Sequence, residues 1–270
     1  MDPQAELEAV IDAARAAGEL LRREAARDGG PRGADFHADV DDEICELLVA
    51  RLGAQFPEDT IVSEELPTRE GSSGRVWHID PHDGTHHFLR GSRDTSISIG
   101  VAQGEALTLG VVYAPLASPL TGPQGTLVAW VEGQPLRCEG QDAVAGGAAS
   151  DAPLLVSPAL RGHVRDRAAA LVAPAPLVGC GSVATRFALT AVGRAQAGVC
   201  LYNVLASWDF AAGQALLRAS GGELVDGEGQ PIAWRDGHSQ APRTMEWFGA
   251  GSLELARSLT RRYRELLRPE

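Results

Sequence analysis

The chain has 270 residues, 44% of them hydrophobic and 22% charged, with a formal net charge of −12. That length supports a large core, in one domain or two fused halves, and the acidic balance argues against non-specific binding to a nucleic-acid polymer or an anionic membrane. The 24 basic side chains are all arginine, which excludes Schiff-base and lysine-nucleophile chemistry.

Leu7, Ile11, Ala14 and Leu21 recur at helical spacing and predict an amphipathic helix over 4–27. Asp28-Gly-Gly-Pro-Arg-Gly33 breaks it with a loop. A second helix is expected from about Asp41, with Ile44, Leu47, Leu48 and Leu52 on its buried side, ending at Phe56-Pro57-Glu58-Asp59. Strands follow at 60–63, 75–80, 95–102, 106–113 and 125–132; the run from Thr95 to Gly100 alternates as a half-buried strand should. The Gly/Ala/Asp-rich stretch from Gly140 to Ala152 reads as a joint, giving halves 1–145 and 146–270. Beyond it come strand 154–157, helix 159–171, strand 176–180, helix 183–193, strand 197–202, helix 208–219, strands 222–225 and 245–249, and helix 252–267. This order fits an α/β protein with a mixed α+β first half and an α/β second half.

The four cysteines, Cys45, Cys138, Cys180 and Cys200, are widely spaced and form no Cys-x-x-Cys pair. Neither a zinc nor a disulfide framework is expected, and reduced thiols in the cytoplasm are the default. The N-terminus is acidic without a signal-type apolar core, and no segment approaches ~18 uninterrupted apolar residues, so no membrane span is expected.

The most informative run is Trp77-His-Ile-Asp80-Pro-His82-Asp83-Gly84-Thr85-His86-His87-Phe88. Two carboxylates close an apolar strand, where α/β proteins bind ligands, and carboxylates suit hard divalent cations. The amides of Gly84 and Thr85 open the next helix, a setting that favours a phosphate. Two further acidic sites join it: Ser63-Glu64-Glu65 after the apolar pair Ile61-Val62, and Trp208-Asp209-Phe-Ala-Ala-Gly213 at a helix start. Singly, Asp80 and Asp83 fit turn residues, and Asp41 and Asp209 fit N-caps. As a set, Glu64, Asp80, Asp83 and Asp209 fit a shared metal site, because carboxylates packed so closely repel unless cations sit among them.

These three motifs, in this order, resemble the inositol monophosphatase superfamily of magnesium-dependent, lithium-sensitive phosphatases. The resemblance runs from about Leu7 to the last helix. It implies a layered αβαβα sandwich (the sugar-phosphatase fold), two or three Mg²⁺ ions, a homodimer and a small phosphorylated metabolite as partner. It gives Glu64, Asp80 and the main-chain carbonyl of His82 to one metal, and Asp80, Asp83 and Asp209 to the second. Thr85 would orient the attacking water with an upstream aspartate, placed at Asp41 with Asp39 and Asp42 as competitors. The family's usual Thr before that aspartate is Ala38 here, and its frequent Glu after it is Cys45.

Gly84 and Thr85 would contact the phosphate. Gly181-Ser182 matches the substrate-facing Gly-Ser/Thr segment of the second half. Arg186, one turn on, would reach a second phosphate or a carboxylate, or else lie solvated on its helix. Arg32 sits where relatives carry a lysine over the site, in a poor match. His86 and His87 occupy variable positions and are read as facing substrate or solvent rather than metal. Inositol phosphatases carry a glutamate where Tyr202 stands, followed here by Asn203, which lowers the inositol reading. Val111-Val-Tyr-Ala-Pro115 resembles the bisphosphate nucleotidase branch. The expectation is therefore a phosphomonoesterase for a polyol, sugar, amino-alcohol or nucleotide 3'-phosphate. Inositol monophosphatase proper and a non-catalytic phosphate-binding member of the fold are the alternatives.

Overall fold

The computed structural model describes residues 2–140, 148–201, 205–241 and 246–267. Helix α1 (Pro3–Ala25) starts where Asp2 accepts a hydrogen bond from the Ala5 amide and Pro3 fills the first turn. After a short hairpin, β1 (Gly33–Ala34) and β2 (His37–Ala38), comes α2 (Asp39–Gln55). The two helices cover one face of a six-stranded sheet in the order β3 (Thr60–Ser63), β4 (Arg75–Asp83), β5 (Ser96–Gln103), β6 (Ala106–Ala114), β7 (Thr126–Val131) and β8 (Arg137–Glu139). Every neighbouring pair in it is antiparallel except β3 and β4. A single turn of helix, α3 (Thr85–Phe88), follows β4.

The second sheet is five-stranded. It is built from β9 (Leu154–Val156), β10 (Leu177–Gly179), β11 (Ala197–Leu201), β12 (Glu223–Asp226) and β15 (Glu246–Ala250), in the order β10-β9-β11-β15-β12. The β9–β10 and β9–β11 pairs are parallel, whereas β15 runs antiparallel to both neighbours. Helices α5 (Val183–Ala191) and α6 (Ser207–Ala219) lie between the sheets; α4 (Gly162–Val172) and α7 (Leu253–Leu267) cover the far side. A small ribbon, β13 (Trp234–Arg235) with β14 (His238–Ser239), completes the fold. The order of layers is therefore helices, sheet, helices, sheet, helices, as expected for an αβαβα sandwich.

Strand β5 is buried on both faces, not on one. Ile97, Ile99 and Val101 meet α1 and α2, while Ser98, Gly100 and Ala102 lie under α6. The alternation in sequence separates large residues from small ones, because α6 lies almost on the backbone. A Cβ on Gly100 would sit 2.7 Å from the Ala212 amide nitrogen, and one on Gly110 2.8 Å from the Ala212 carbonyl oxygen. The joint expected from Gly140 to Ala152, with its boundary at 145/146, falls largely outside the described residues. The helix expected from 159 begins at Gly162, after Arg161 in extended backbone. The β1–β2 hairpin, β8 and the β13–β14 ribbon had no counterpart in the sequence reading; each strand is too short for period two to register.

Candidate active site

Asp80 and Asp83 reach one side of the sheet because β4 is bulged. In a plain strand, residues three apart face opposite ways. Here Asp80 pairs with Ser98 and Asp83 with Ser96, so three steps on β4 answer two on β5. The extra residue turns both carboxylates the same way. Pro81, which cannot donate, falls inside this irregular stretch and beyond the end of β3. The His82 amide donates to Asp80 Oδ1 at 2.9 Å and fixes that carboxylate locally.

Asp209 arrives from the start of α6. It is the third helical residue and not the N-cap: its Oδ2 accepts from the Ala206 amide at 2.6 Å. Asp41 does the same in α2, accepting from the Ala38 amide at 2.8 Å. Asp83 is held by the second half. Its Oδ2 accepts from Ser182 Oγ at 2.5 Å and from the Ala184 amide at 2.6 Å, at the N-terminus of α5.

Oxygen atoms of Asp80, Asp83 and Asp209 all lie within 4.8 Å of one another. With Glu64 they line a cavity of about 350 Å³, whose walls also include His82, Gly84 and Thr85 from the first half and Gly181 and Arg186 from the second. Burial, and then the charges of Glu64 and Asp83, hold Asp80 and Asp209 well above the usual carboxylate range. Burial also raises Asp83, although Ser182, Ala184 and Arg186 work against it. Burial of the carboxyl, with Glu65 and Asp83 close by, pushes Glu64 to about 7, although the residue as a whole stays exposed. Such mutual repulsion is relieved by a cation, so this all-oxygen donor set fits hard divalent ions.

Thr85 Oγ1 donates to the main-chain carbonyl of His82 at 2.6 Å. The upstream aspartate does not meet that hydroxyl. Both Asp41 oxygens are engaged, Oδ2 by Ala38 and Oδ1 by His82 Nδ1 at 2.5 Å, and His82 stands between Asp41 and the cavity. Asp39 and Asp42 lie on the outer side of α2, where Asp39 faces Arg32 at 3.8 Å and Asp42 faces His37 at 3.3 Å. His82 Nε2 is buried without a hydrogen-bond partner. The His82 side chain was missed as a partner of Asp41, since nothing local ties positions so far apart.

Three other expectations change. The helix after Gly84 is one turn long, so it supplies little macrodipole for a phosphate. Gly84 itself sits at φ 99°, which favours glycine. Ser182 is fully buried; its hydroxyl caps α5 and holds Asp83 instead of facing a substrate. Arg186 is neither solvated nor a fork for a second anion. It is 1% exposed, and its Nε and Nη atoms donate to the carbonyls of Cys180, Val199 and Gly181 and to Cys200 Sγ. Four of its five N–H donors are so used. Arg32 grips Glu24 on α1, with Nη2 at 2.8 Å from Oε2, and does not line the cavity. Tyr202 and Asn203 lie outside the described residues.

His86 and His87 both line the cavity. Burial, with positive neighbours, lowers His87 to about 4. Phe36, 73% exposed and on the same wall, went unnoticed as a lone aromatic in a polar loop. None of the four cysteines is in a disulfide, and no described helix is long and apolar enough to cross a membrane.

A layered αβαβα protein with a carboxylate-lined cavity is the class that fold and site define. The inositol monophosphatase family model matches residues 2–258, and the chain belongs to that family. It is 28% identical to inositol monophosphatase 1 of Solanum lycopersicum over 229 residues, 81% of this chain and 83% of that one. It is also 28% identical to Nus factor SuhB of Pasteurella multocida over 249 residues, 89% and 92% of the two chains. Among solved structures, SuhB of Bartonella henselae superposes with a TM-score of 0.77 at 22% identity, over 97% of this chain and 99% of that one. The IMPase of Thermotoga maritima does so with 0.75 at 22%, over 97% and 99%.

Proposed function

We propose that this chain is a cytoplasmic, Mg²⁺-dependent phosphomonoesterase for a small phosphorylated metabolite, with Glu64, Asp80, Asp83, Asp209 and the His82 carbonyl holding the metals. The convergence of four carboxylates on one cavity carries the reading. When bound, two or three divalent ions supply Lewis-acid polarisation of the phosphoryl group and a more acidic water. The remaining work falls to the chain's own groups. Thr85 donates to His82 and so keeps its oxygen lone pairs available to orient a water from the cavity wall. Asp41 acts behind His82, fixing the imidazole and the β4 bulge that carries Asp80 and Asp83. Ser182 and Ala184 aim Asp83. In this reading the halves 1–145 and 146–270 share the site, and the enzyme is a homodimer as its family resemblance implies.

The net charge of −12 supports a small phosphate ester rather than a nucleic-acid polymer as partner. The test is release of inorganic phosphate, with and without Mg²⁺, from inositol phosphates, histidinol phosphate, 3'-phosphoadenosine 5'-phosphate and sugar phosphates. Mg²⁺-dependent release from at least one is expected. No release from any would replace this reading with that of a non-catalytic phosphate-binding protein.

A further inference from the structure

The hairpin between α1 and α2 does more than connect them. Asp35, at φ 55°, turns the chain so that Phe36 projects from its tip. Phe36 is 73% exposed, the most exposed large apolar side chain among the described residues, yet it lines the cavity that holds Glu64, Asp80, Asp83 and Asp209. A phenyl ring left in water forgoes the stabilisation that burial would give it. Its position is nonetheless fixed. One face lies on the His86 imidazole, with ring centroids 4.5 Å apart and planes 18° from parallel.

His86 is fixed in its turn. The Arg90 guanidinium, which can only donate, approaches His86 Nδ1 at 2.9 Å and the His86 carbonyl oxygen at 2.8 Å. His86 follows Thr85 directly in α3, so the stack is built just past the end of the strand that bears Asp80 and Asp83.

The hairpin is tied on both sides of Phe36. Before it, the Arg32 amide and guanidinium hold Glu24 at 2.7 and 2.8 Å. After it, His37 reaches Asp42 at 3.3 Å and Glu65 at 3.4 Å. Burial lowers His37, but Glu65, Asp42 and Asp41 outweigh it and raise it overall. An aromatic held open beside a site, with one face already stacked, is pre-organised to take a second ring on its other face.

We infer that Phe36, backed by His86, is the docking face for a planar aromatic or heteroaromatic ring on the alcohol side of the substrate. The preferred substrates are then phosphate monoesters of ring-bearing alcohols rather than of bare polyols. This rests on the phosphomonoesterase reading and narrows it. Leu205, Ala159 and Ser157 line the same cavity from the second half and give such a ring an apolar and small-residue boundary.

The experiment compares kcat/KM for adenosine 3'-monophosphate, glycerol 2-phosphate and myo-inositol 1-phosphate, in the wild type, Phe36→Ala and Phe36→Trp. The wild type should prefer the adenosine ester. Phe36→Ala should shrink its advantage over glycerol 2-phosphate about tenfold to a hundredfold, mainly through KM, as expected for one lost base–aromatic stack. Phe36→Trp should restore the advantage. Equal effects of Phe36→Ala on all three esters, or no preference for the ring in the wild type, would overturn the inference while leaving the hydrolase reading intact. If no ester is hydrolysed, the hydrolase reading fails instead, and calorimetry with adenosine 3'-monophosphate decides: binding weakened by Phe36→Ala and regained in Phe36→Trp sustains the docking face, and binding indifferent to both overturns it.

Discussion

Asp41 Oδ1 and His82 Nδ1 meet at 2.5 Å, with both side chains 1% exposed. A carboxylate and an imidazole so buried depend on each other, because removing either leaves the other without its partner in a dry setting. The pair ties the first turn of α2 to the bulge of β4, which carries Asp80 and Asp83.

Asp41→Ala should therefore cost about 3 kcal/mol of stability, the magnitude found when one partner of a buried pair is removed. Turnover should fall too, because the bulge loses its anchor. Urea unfolding with circular dichroism measures the first and phosphate release the second. A stability loss under about 1 kcal/mol would show that the contact holds nothing.

Ser182→Ala removes one of two donors to Asp83 Oδ2 and leaves the Ala184 amide in place. The expected result is a fall of roughly 10–100-fold in Mg²⁺ affinity or turnover, as for groups that orient a metal ligand. Asp83→Asn, which deletes the charge itself, should abolish turnover. Wild-type rates in Asp83→Asn would remove Asp83 from the site.

Metal should matter most at high pH. Glu64 is raised to about 7, and Asp80 and Asp209 lie well above the usual range, against unfolded values of about 4. An acid raised on folding contributes stability below its unfolded pKa and loses it as pH climbs through the folded one. The chelated protein should thus weaken as pH rises through 7, and Mg²⁺ should raise the melting temperature more at pH 8 than at pH 5.5. Equal shifts at the two values, read by thermal unfolding with and without chelator, would contradict the charge repulsion described here.

His78 carries the opposite dependence. Its Nε2 donates to the Gly237 carbonyl and its Nδ1 accepts from Ser207 Oγ, each at 2.9 Å, so the ring is held neutral. Burial lowers it to about 4, from an unfolded value near 6.5. The unfolded chain then binds more protons between those values, and stability falls as pH drops through that window, by about 3 kcal/mol in all. Unfolding of His78→Gln and wild type in saturating Mg²⁺, at pH 7 and pH 4.5, isolates this contribution. The two proteins should converge at the lower pH, and a constant gap would refute it.

Much of the fold is legible in the order of residues. Strand β3 ends where the apolar pair Ile61-Val62 yields to Glu64, and α6 begins where Trp208-Asp209 opens an apolar helical run. Asp80, Asp83 and Asp209 announced themselves by motif, and they share one cavity. Arg186 did not: a charged residue on a helix looks solvated until a loop and a strand present carbonyl oxygens to it. Ser182 looked available to substrate until Asp83, 99 positions earlier, met it.

The sequence by itself determined the periodic elements, the all-arginine basic chemistry and the acidic residues at element ends, since each depends only on near neighbours. Only the tertiary structure decided which way those residues face. The β4 bulge turned Asp80 and Asp83 to one side, His82 came between Asp41 and the cavity, and a hairpin of two-residue strands laid Phe36 on His86. Each of these needs a partner strand or a residue far along the chain. Contacts of that kind form only when distant segments pack together, and no local pattern records them.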